Sequence, residues 1–324
     1  MLDQATKGHG CVAGVVGPAG IGKSRILSEL AAIATSRGVE VFSTYCESHT
    51  SDVPFYASTG LLRAAVGIEG LDASAARARV REQNRGADPA DLVLLDDLLG
   101  IADPTVEVPE VAPEARRRRL AALVNAAVLA RTTPAVFVIE DAHWIDETSE
   151  SFLAGFLPVV SHTRSLMLIT YRPEYRGALS QARGGQTIAL APLDDPQTAV
   201  LVAEQLGGHP SIAGLADQIV ERAAGNPFFV EEIVRDLADR GVIVGRRGQS
   251  RETALLRYGA GSGRASSPIE CRMMMQARPP CVLRRLVCCA PIPLGYGGAM
   301  PRHAFSSFRS CASRQGTKPL LRSA

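Results

Sequence analysis

The sequence predicts an α/β fold in which a parallel sheet is sandwiched by helices and followed by a small helical lid and an irregular C-terminal tail. Three observations predict it. Short apolar, β-rich runs recur with helical patterns between them, as parallel strands joined by helical crossovers require. A glycine-rich turn stands between the first of these runs and the first helical pattern. Beyond about residue 193 only helical patterns follow, until all periodicity is lost.

The strand candidates are Val12 to Val16, Val39 to Tyr45, Ala135 to Ile139, Leu166 to Tyr171 and Thr187 to Leu190. The first helix is expected from about Lys23 to Arg37, with Gly38 as its C-terminal stop. Asp88-Pro89 opens a second helix that Gly100 closes, and Ala112 to Arg131 forms a longer one. Almost ninety residues separate the second and third strands, far more than a minimal crossover needs, so helical insertions are expected there. Asp194-Asp195-Pro196 starts a helix, Ser211 to Ala224 reads as another and Pro227 to Arg240 as a third. The expected domains are therefore a core over residues 1–192, a helical lid over 193–248 and a tail over 249–324.

Composition sets the tail apart. Residues 251–324 carry 12 Lys or Arg and 2 Asp or Glu, leaving 23 and 31 for residues 1–250, so a body of −8 precedes a tail of +10. Five of the seven cysteines, seven prolines and no aspartate fall after Gly248, with no sustained period of two or 3.6. That segment reads either as a disordered basic tail or as translation in a shifted reading frame, and the abruptness of the change favours the second. The run Arg116 to Arg119 falls early on a helical segment and reads as a solvated face. A hydrophobic content of 46% suffices for a real core. Met1 to Gly10 lack the basic start and apolar stretch of a signal peptide. No apolar run approaches the roughly eighteen residues of a membrane span. With no C-x-x-C spacing, a reducing, cytoplasmic setting without a membrane is expected.

Gly17-Pro18-Ala19-Gly20-Ile21-Gly22-Lys23-Ser24 fits G-x-x-x-x-G-K-[ST] at every fixed position, with an apolar strand before it and a helical pattern from Arg25 onward, and Gly17 to Arg25 are the residues expected to bind nucleotide. Glycines at 17, 20 and 22 let the backbone curl around phosphate oxygens, so that successive N–H groups and the helix N-terminus face negative charge. Lys23 is expected to reach the β- and γ-phosphates of ATP, and the Ser24 hydroxyl to complete the coordination of Mg²⁺. The segment therefore predicts a P-loop NTPase.

Ala135 to Asp141 is an apolar strand ending in two adjacent carboxylates. A buried strand holds its last side chain rigidly. Glu140 is accordingly assigned to the metal and Asp141 to polarising the attacking water, although the order of the two roles is open. His143 and Asp146 follow closely, each as a contributor to the site or as a structural hydrogen-bonding group. No further ligands at matching spacing support a His/Asp metal site. Arg172 ends the fourth strand, where a planar guanidinium is placed to sense a γ-phosphate. Gly225-Asn226-Pro227 breaks one helix and begins the next.

With these residues in hand, the chain resembles the signal-transduction ATPases with numerous domains, a branch of the AAA-like P-loop NTPases. More closely, it is similar to the ATPase module of class III adenylate cyclases and of large bacterial transcriptional regulators. Gly17 to Ser24, VFVIEDAHWID from Val136, LITYRPEYRG from Leu168 and GNPFFVEE from Gly225 carry the resemblance, over roughly residues 10 to 245. It implies that Arg172 is a sensor and that Pro227 contacts adenine. It also implies a partner protein or self-association through the module. Relatives have a helical segment with a Gly-Arg element ahead of the first strand and a winged-helix domain beyond the lid. Here only about ten residues precede Cys11 and the likeness ends near Arg246, so the chain reads as truncated at both ends. The acidic body argues against nucleic acid as a partner of this fragment. A DNA-associated regulator fragment and a non-functional remnant stand as the alternatives.

Overall fold

A computed structural model of the chain describes residues 1–252 other than 183, 246, 247 and 250. All of these belong to one compact unit, Met1–Gly261. The tail from residue 253 onward, with both readings made of it, lies outside the described residues.

The elements run in the order α1 (Leu2–Thr6), β1 (Cys11–Val16), α2 (Lys23–Ser36), β2 (Glu40–Tyr45), α3 (Tyr56–Val66), α4 (Ala73–Gln83), α5 (Pro89–Leu98), α6 (Pro113–Ala130), β3 (Ala135–Glu140), α7 (Glu147–Val160), β4 (Ser165–Tyr171), β5 (Gln186–Ala189), α8 (Asp195–Leu206), α9 (Ala213–Ala223), α10 (Pro227–Asp239), β6 (Ile243–Val244) and β7 (Arg251–Glu252). Strands β1 to β5 form one parallel sheet in the order β2-β3-β4-β1-β5. β6 and β7 form a separate antiparallel pair.

Alternation along the central strands divides the core into two layers. Val136, Val138, Leu166 and Leu168 point to the face covered by α1 and α2, where they meet Ala5, Leu27 and Ala34. Phe137, Ile139, Met167 and Ile169 point to the opposite face, where α3, α6 and α7 pack. Strands β3 and β4 are buried on both faces, which is why they read as unbroken apolar runs. The helix α1 was not legible in the sequence. It spans one turn, buries Ala5, and is tied to α2 by an Asp3–Arg37 ion pair at 2.6 Å.

Local signals account for most helix ends. Asp88 caps α5 by accepting from the Ala90 N–H, with Pro89 at the first helical position. Asp194 and Gln197 form a reciprocal capping box at the start of α8. The Arg116–Arg119 run differs from the sequence reading at two positions. Arg117 and Arg118 are exposed, but Arg116 pairs with Asp97 and Arg119 with Asp91, tying α6 to α5. A heptad-scale pattern cannot show that two acids of a neighbouring helix face those arginines.

Helices α8 to α10 enclose their own apolar cluster of Val202, Leu206, Ile212, Ile219, Ala223, Val230 and Ile243. The turn between α9 and α10 is tied to the segment that leads into α8, since the Leu193 N–H donates to the Gly225 carbonyl at 2.8 Å.

Candidate functional site

The site forms at the C-terminal edge of β1, β3 and β4, where an open parallel sheet leaves a crevice. Strand β1 lies between β4 and β5, and the chain leaving it is held on both sides. The Gly17 N–H donates to Tyr171 O at 3.3 Å, and Leu190 N–H donates to Val16 O at 2.8 Å. The loop then turns through Gly20 at φ +78° and Gly22 at φ +102°, left-handed conformations that glycine adopts without a Cβ penalty. Ile21 is buried beneath the loop, against Gly17.

Lys23, at the first position of α2, is only 7% exposed. Its Nζ donates to Gly17 O and Pro18 O, both at 3.0 Å, which folds the ammonium into the mouth of its own loop. Burial lowers its pKa, Asp141 acts to raise it, Arg172 to lower it and Glu174 to raise it. These four side chains thus share one electrostatic neighbourhood. Ser24 follows Lys23, and its hydroxyl stands close enough to Glu140 to act against the rise that burial gives the carboxylate's pKa. Glu140 ends β3, buried, with its pKa raised by burial foremost. β2 and β3 are in register at Tyr45 and Glu140, and burial first and then the neighbouring carboxylate raise the Tyr45 pKa.

Asp141 leaves the strand in a left-handed conformation at φ 54°, its N–H donating to Thr170 Oγ1 at 2.9 Å. Aspartate tolerates that region better than most residues, and such conformations concentrate at functional sites. The turn swings the Asp141 side chain into the open while Glu140 stays enclosed. His143 Nδ1 stands 3.8 Å from Asp141 Oδ1. Burial lowers the His143 pKa to about 4, so the imidazole is neutral at pH 7 and makes no ion pair with Asp141 there. Among the described residues, the buried side-chain polar atoms without a hydrogen-bond partner are both ring nitrogens of His143 and Nε of Arg131. Arg172 lies over the Trp144 ring at 5.8 Å. Its loop is pinned to α7 by the Tyr175 hydroxyl, which donates to Glu150.

The structure therefore brings together Gly17, Pro18, Lys23, Ser24, Glu140, Asp141, His143 and Arg172. It leaves Arg25 outside: that side chain is 77% exposed and pairs with Glu29 at 2.7 Å along α2. Asp146 has a purely structural place. It caps α7 through Ser149 N–H at 2.7 Å, and it accepts from Phe55 N–H at 2.8 Å and Ala57 N–H at 3.3 Å. Pro227 is the first residue of α10, but its neighbours make the contacts to the loop. Asn226 Nδ2 donates to Ala19 O at 3.1 Å and Phe228 N–H to Gly20 O at 3.3 Å. Sequence reasoning missed Asn226, Phe228 and Tyr45. The helix-breaking Gly225-Asn226-Pro227 triplet was the only local signal for the first two, and nothing local marks the third.

These residues suit a triphosphate with Mg²⁺. The donor set combines a buried ammonium held only by carbonyl oxygens, a hydroxyl beside an enclosed carboxylate, and a loop with two left-handed glycines.

A family model described as "AAA ATPase domain" matches residues 1–169, just over half of the chain, and the chain belongs to that family. Nucleotide binding is what such a domain suggests. Residues 194–251, the block of α8 to α10, match a family described as "Domain of unknown function (DUF8739)". Uncharacterized protein R02095 of Rhizobium meliloti (strain 1021) is 30% identical over 239 residues, covering 72% of this chain and 23% of that protein. The chain thus spans under a quarter of the length of this relative. Among solved structures, the Aeropyrum pernix Orc1 protein in complex with DNA is 15% identical at a TM-score of 0.40, covering 80% of this chain and 61% of that one. Cdc6p from Pyrobaculum aerophilum is 12% identical at a TM-score of 0.42, covering 76% and 60%. Similarities this distant carry no functional argument.

Proposed function

We propose that this chain is an ATP-binding, weakly ATP-hydrolysing switch module of a cytoplasmic signal-transduction protein, of the kind associated with adenylate cyclases or large transcriptional regulators. The observation that carries the reading is the convergence of Lys23, Ser24 and Glu140 at the mouth of the loop, with Asp141 and Arg172 beside them. Lys23 exchanges its two carbonyl partners for the β- and γ-phosphate oxygens, and the loop N–H groups hold the same oxygens. Ser24 and Glu140 would hold Mg²⁺, which supplies charge neutralisation on the phosphates. Asp141 orients and polarises the attacking water. The γ-phosphoryl group passes to that water, yielding ADP, phosphate and a proton. Arg172 responds to the presence of the transferred group, its guanidinium oriented by Trp144.

Residues 1–192 act as the core and 193–248 as a lid. The contacts of Asn226 and Phe228 with Ala19 and Gly20 support this division, because a loop that reshapes around phosphate moves the very carbonyls on which the lid rests. The chain's 23% span of its relative supports a module that serves a longer protein, with a partner or a second copy receiving the signal.

Calorimetric titration of the purified chain with Mg·ATP tests the reading. Saturable binding is expected, abolished by Lys23→Ala, with Asp141→Asn retaining binding and losing turnover. Undiminished ATP affinity in the Lys23→Ala chain would overturn the assignment.

A further inference from the structure

Buried polar atoms almost always find hydrogen-bond partners, and an exception asks for a reason. His143 is an exception at both of its ring nitrogens. Its side chain is only 10% exposed, and neither nitrogen has a partner. A neutral imidazole carries one N–H donor and one acceptor, so the folded chain forgoes two bonds at this one residue. Neither nitrogen is open to solvent. A partner that reaches them must therefore come from the protein itself.

Asp141 meets that requirement. Its Oδ1 lies 3.8 Å from His143 Nδ1, about 1 Å beyond a hydrogen bond to a carboxylate. The two sides of this gap differ in freedom. The ring is enclosed and held beside Trp144, with ring centres 5.2 Å apart. The carboxylate is 46% exposed, on a backbone pinned through its own N–H to Thr170 Oγ1. Rotation of the Asp141 side chain can close the distance while the backbone keeps its place. Charge opposes that rotation in the empty site, because the Lys23 ammonium and Asp141 attract one another. Once the ammonium turns to phosphate oxygens, its pull on Asp141 is divided. The imidazole is then the available donor, and being uncharged it fixes the carboxylate without cancelling its negative charge.

We propose that His143 is a positioning residue for Asp141: with Mg·ATP in the loop the carboxylate turns onto the ring, accepts from His143 Nδ1–H through one oxygen and keeps the other for the attacking water. The inference rests on the nucleotide reading above and adds to it the group that aims the carboxylate. His143 touches neither nucleotide nor water and acts through Asp141 alone.

The test uses the full chain and reads binding, turnover and the ring proton separately. His143→Leu should bind Mg·ATP within about twofold of the parent by calorimetry and lower kcat by about tenfold or more, the scale of one lost hydrogen bond to a charged group. His143→Asn, whose side-chain amide carries an N–H where Nδ1 stands, should recover most of that loss. In an Asp141→Asn chain, His143→Leu should cost little further, since the two side chains act as a unit. Nuclear magnetic resonance of the parent with labelled histidine needs neither turnover nor a folded variant. The His143 ring proton should reside on Nδ1 and move downfield when a non-hydrolysable Mg·ATP analogue is added. Failure of the parent to bind Mg·ATP would overturn both this inference and the nucleotide reading. With binding intact, parental kcat in His143→Leu, no recovery in His143→Asn, additive losses in the double variant, or a ring proton on Nε2 in the loaded chain would each overturn this inference alone.

Discussion

The side-chain amide of Asn226 donates to the carbonyl of Ala19 at 3.1 Å, joining the turn before α10 to the glycine-rich loop across 207 positions of sequence. Its carbonyl oxygen accepts from Phe228 N–H at 3.1 Å, so one side chain both caps α10 and holds the loop. Two elements that share no local sequence are thereby made into one surface.

Asn226→Ala removes both bonds. A lost cap alone costs about 1 kcal/mol. The melting temperature of the chain should fall by a few degrees, and ATP affinity should change in a calorimetric titration while Lys23 remains intact. An unchanged affinity would separate the lid from the nucleotide response.

A methyl group on Gly20 would stand 2.6 Å from Phe228 Cβ and 2.9 Å from Asn226 Oδ1, at φ +78°. Gly20→Ala should therefore destabilise the chain by roughly 1–3 kcal/mol in urea unfolding, through backbone strain and displacement of α10 together. Gly22→Ala meets no atom within 4 Å. It carries only the strain and should cost less, a ranking that unfolding curves of the two variants check.

Asp146→Ala should be among the more costly single changes, about 2–4 kcal/mol, because it leaves the N–H groups of Phe55, Ala57 and Ser149 without their buried acceptor. Asp146→Asn should recover part of that loss. ATP affinity per folded molecule should be unaffected, in contrast to Asp141→Asn, whose effect falls on turnover.

His143 predicts a pH dependence. Its pKa is lowered from 6.5 to about 4, chiefly by burial, so between those values the unfolded chain holds a proton that the native chain refuses. The stability this contributes is present above about pH 6.5 and is lost as the pH falls towards 4. Urea unfolding at pH 7 and pH 5 should show a smaller drop for His143→Asn than for the parent, by about 1–2 kcal/mol. Equal drops would mean that the imidazole is not shielded from water.

Much of the frame was legible in the chain. The five strand candidates and the ends of α2, α5, α6, α8 and α10 follow from apolar runs, capping aspartates, prolines and glycines, all of which act within about four residues. The loop from Gly17 to Ser24 was legible for the same reason, since its chemistry is contiguous. The short helix α1 was not, because one turn leaves no periodicity to detect. The solvated reading of Arg116 and Arg119 failed because their partners Asp97 and Asp91 lie on another helix.

By itself, then, the sequence determined the alternation of strand and helix, the phosphate-type loop and the pair of carboxylates at the end of β3. Tertiary structure decided which of these residues meet. It set Glu140 against Ser24 and Tyr45, turned Asp141 outward beside His143, made Asp146 a brace rather than a reactive group, and laid Asn226 and Phe228 on Ala19 and Gly20. Pattern and capping are short-range properties of neighbouring residues. Meetings across tens or hundreds of positions depend on which faces bury together, and that is settled only when the sheet and its layers pack.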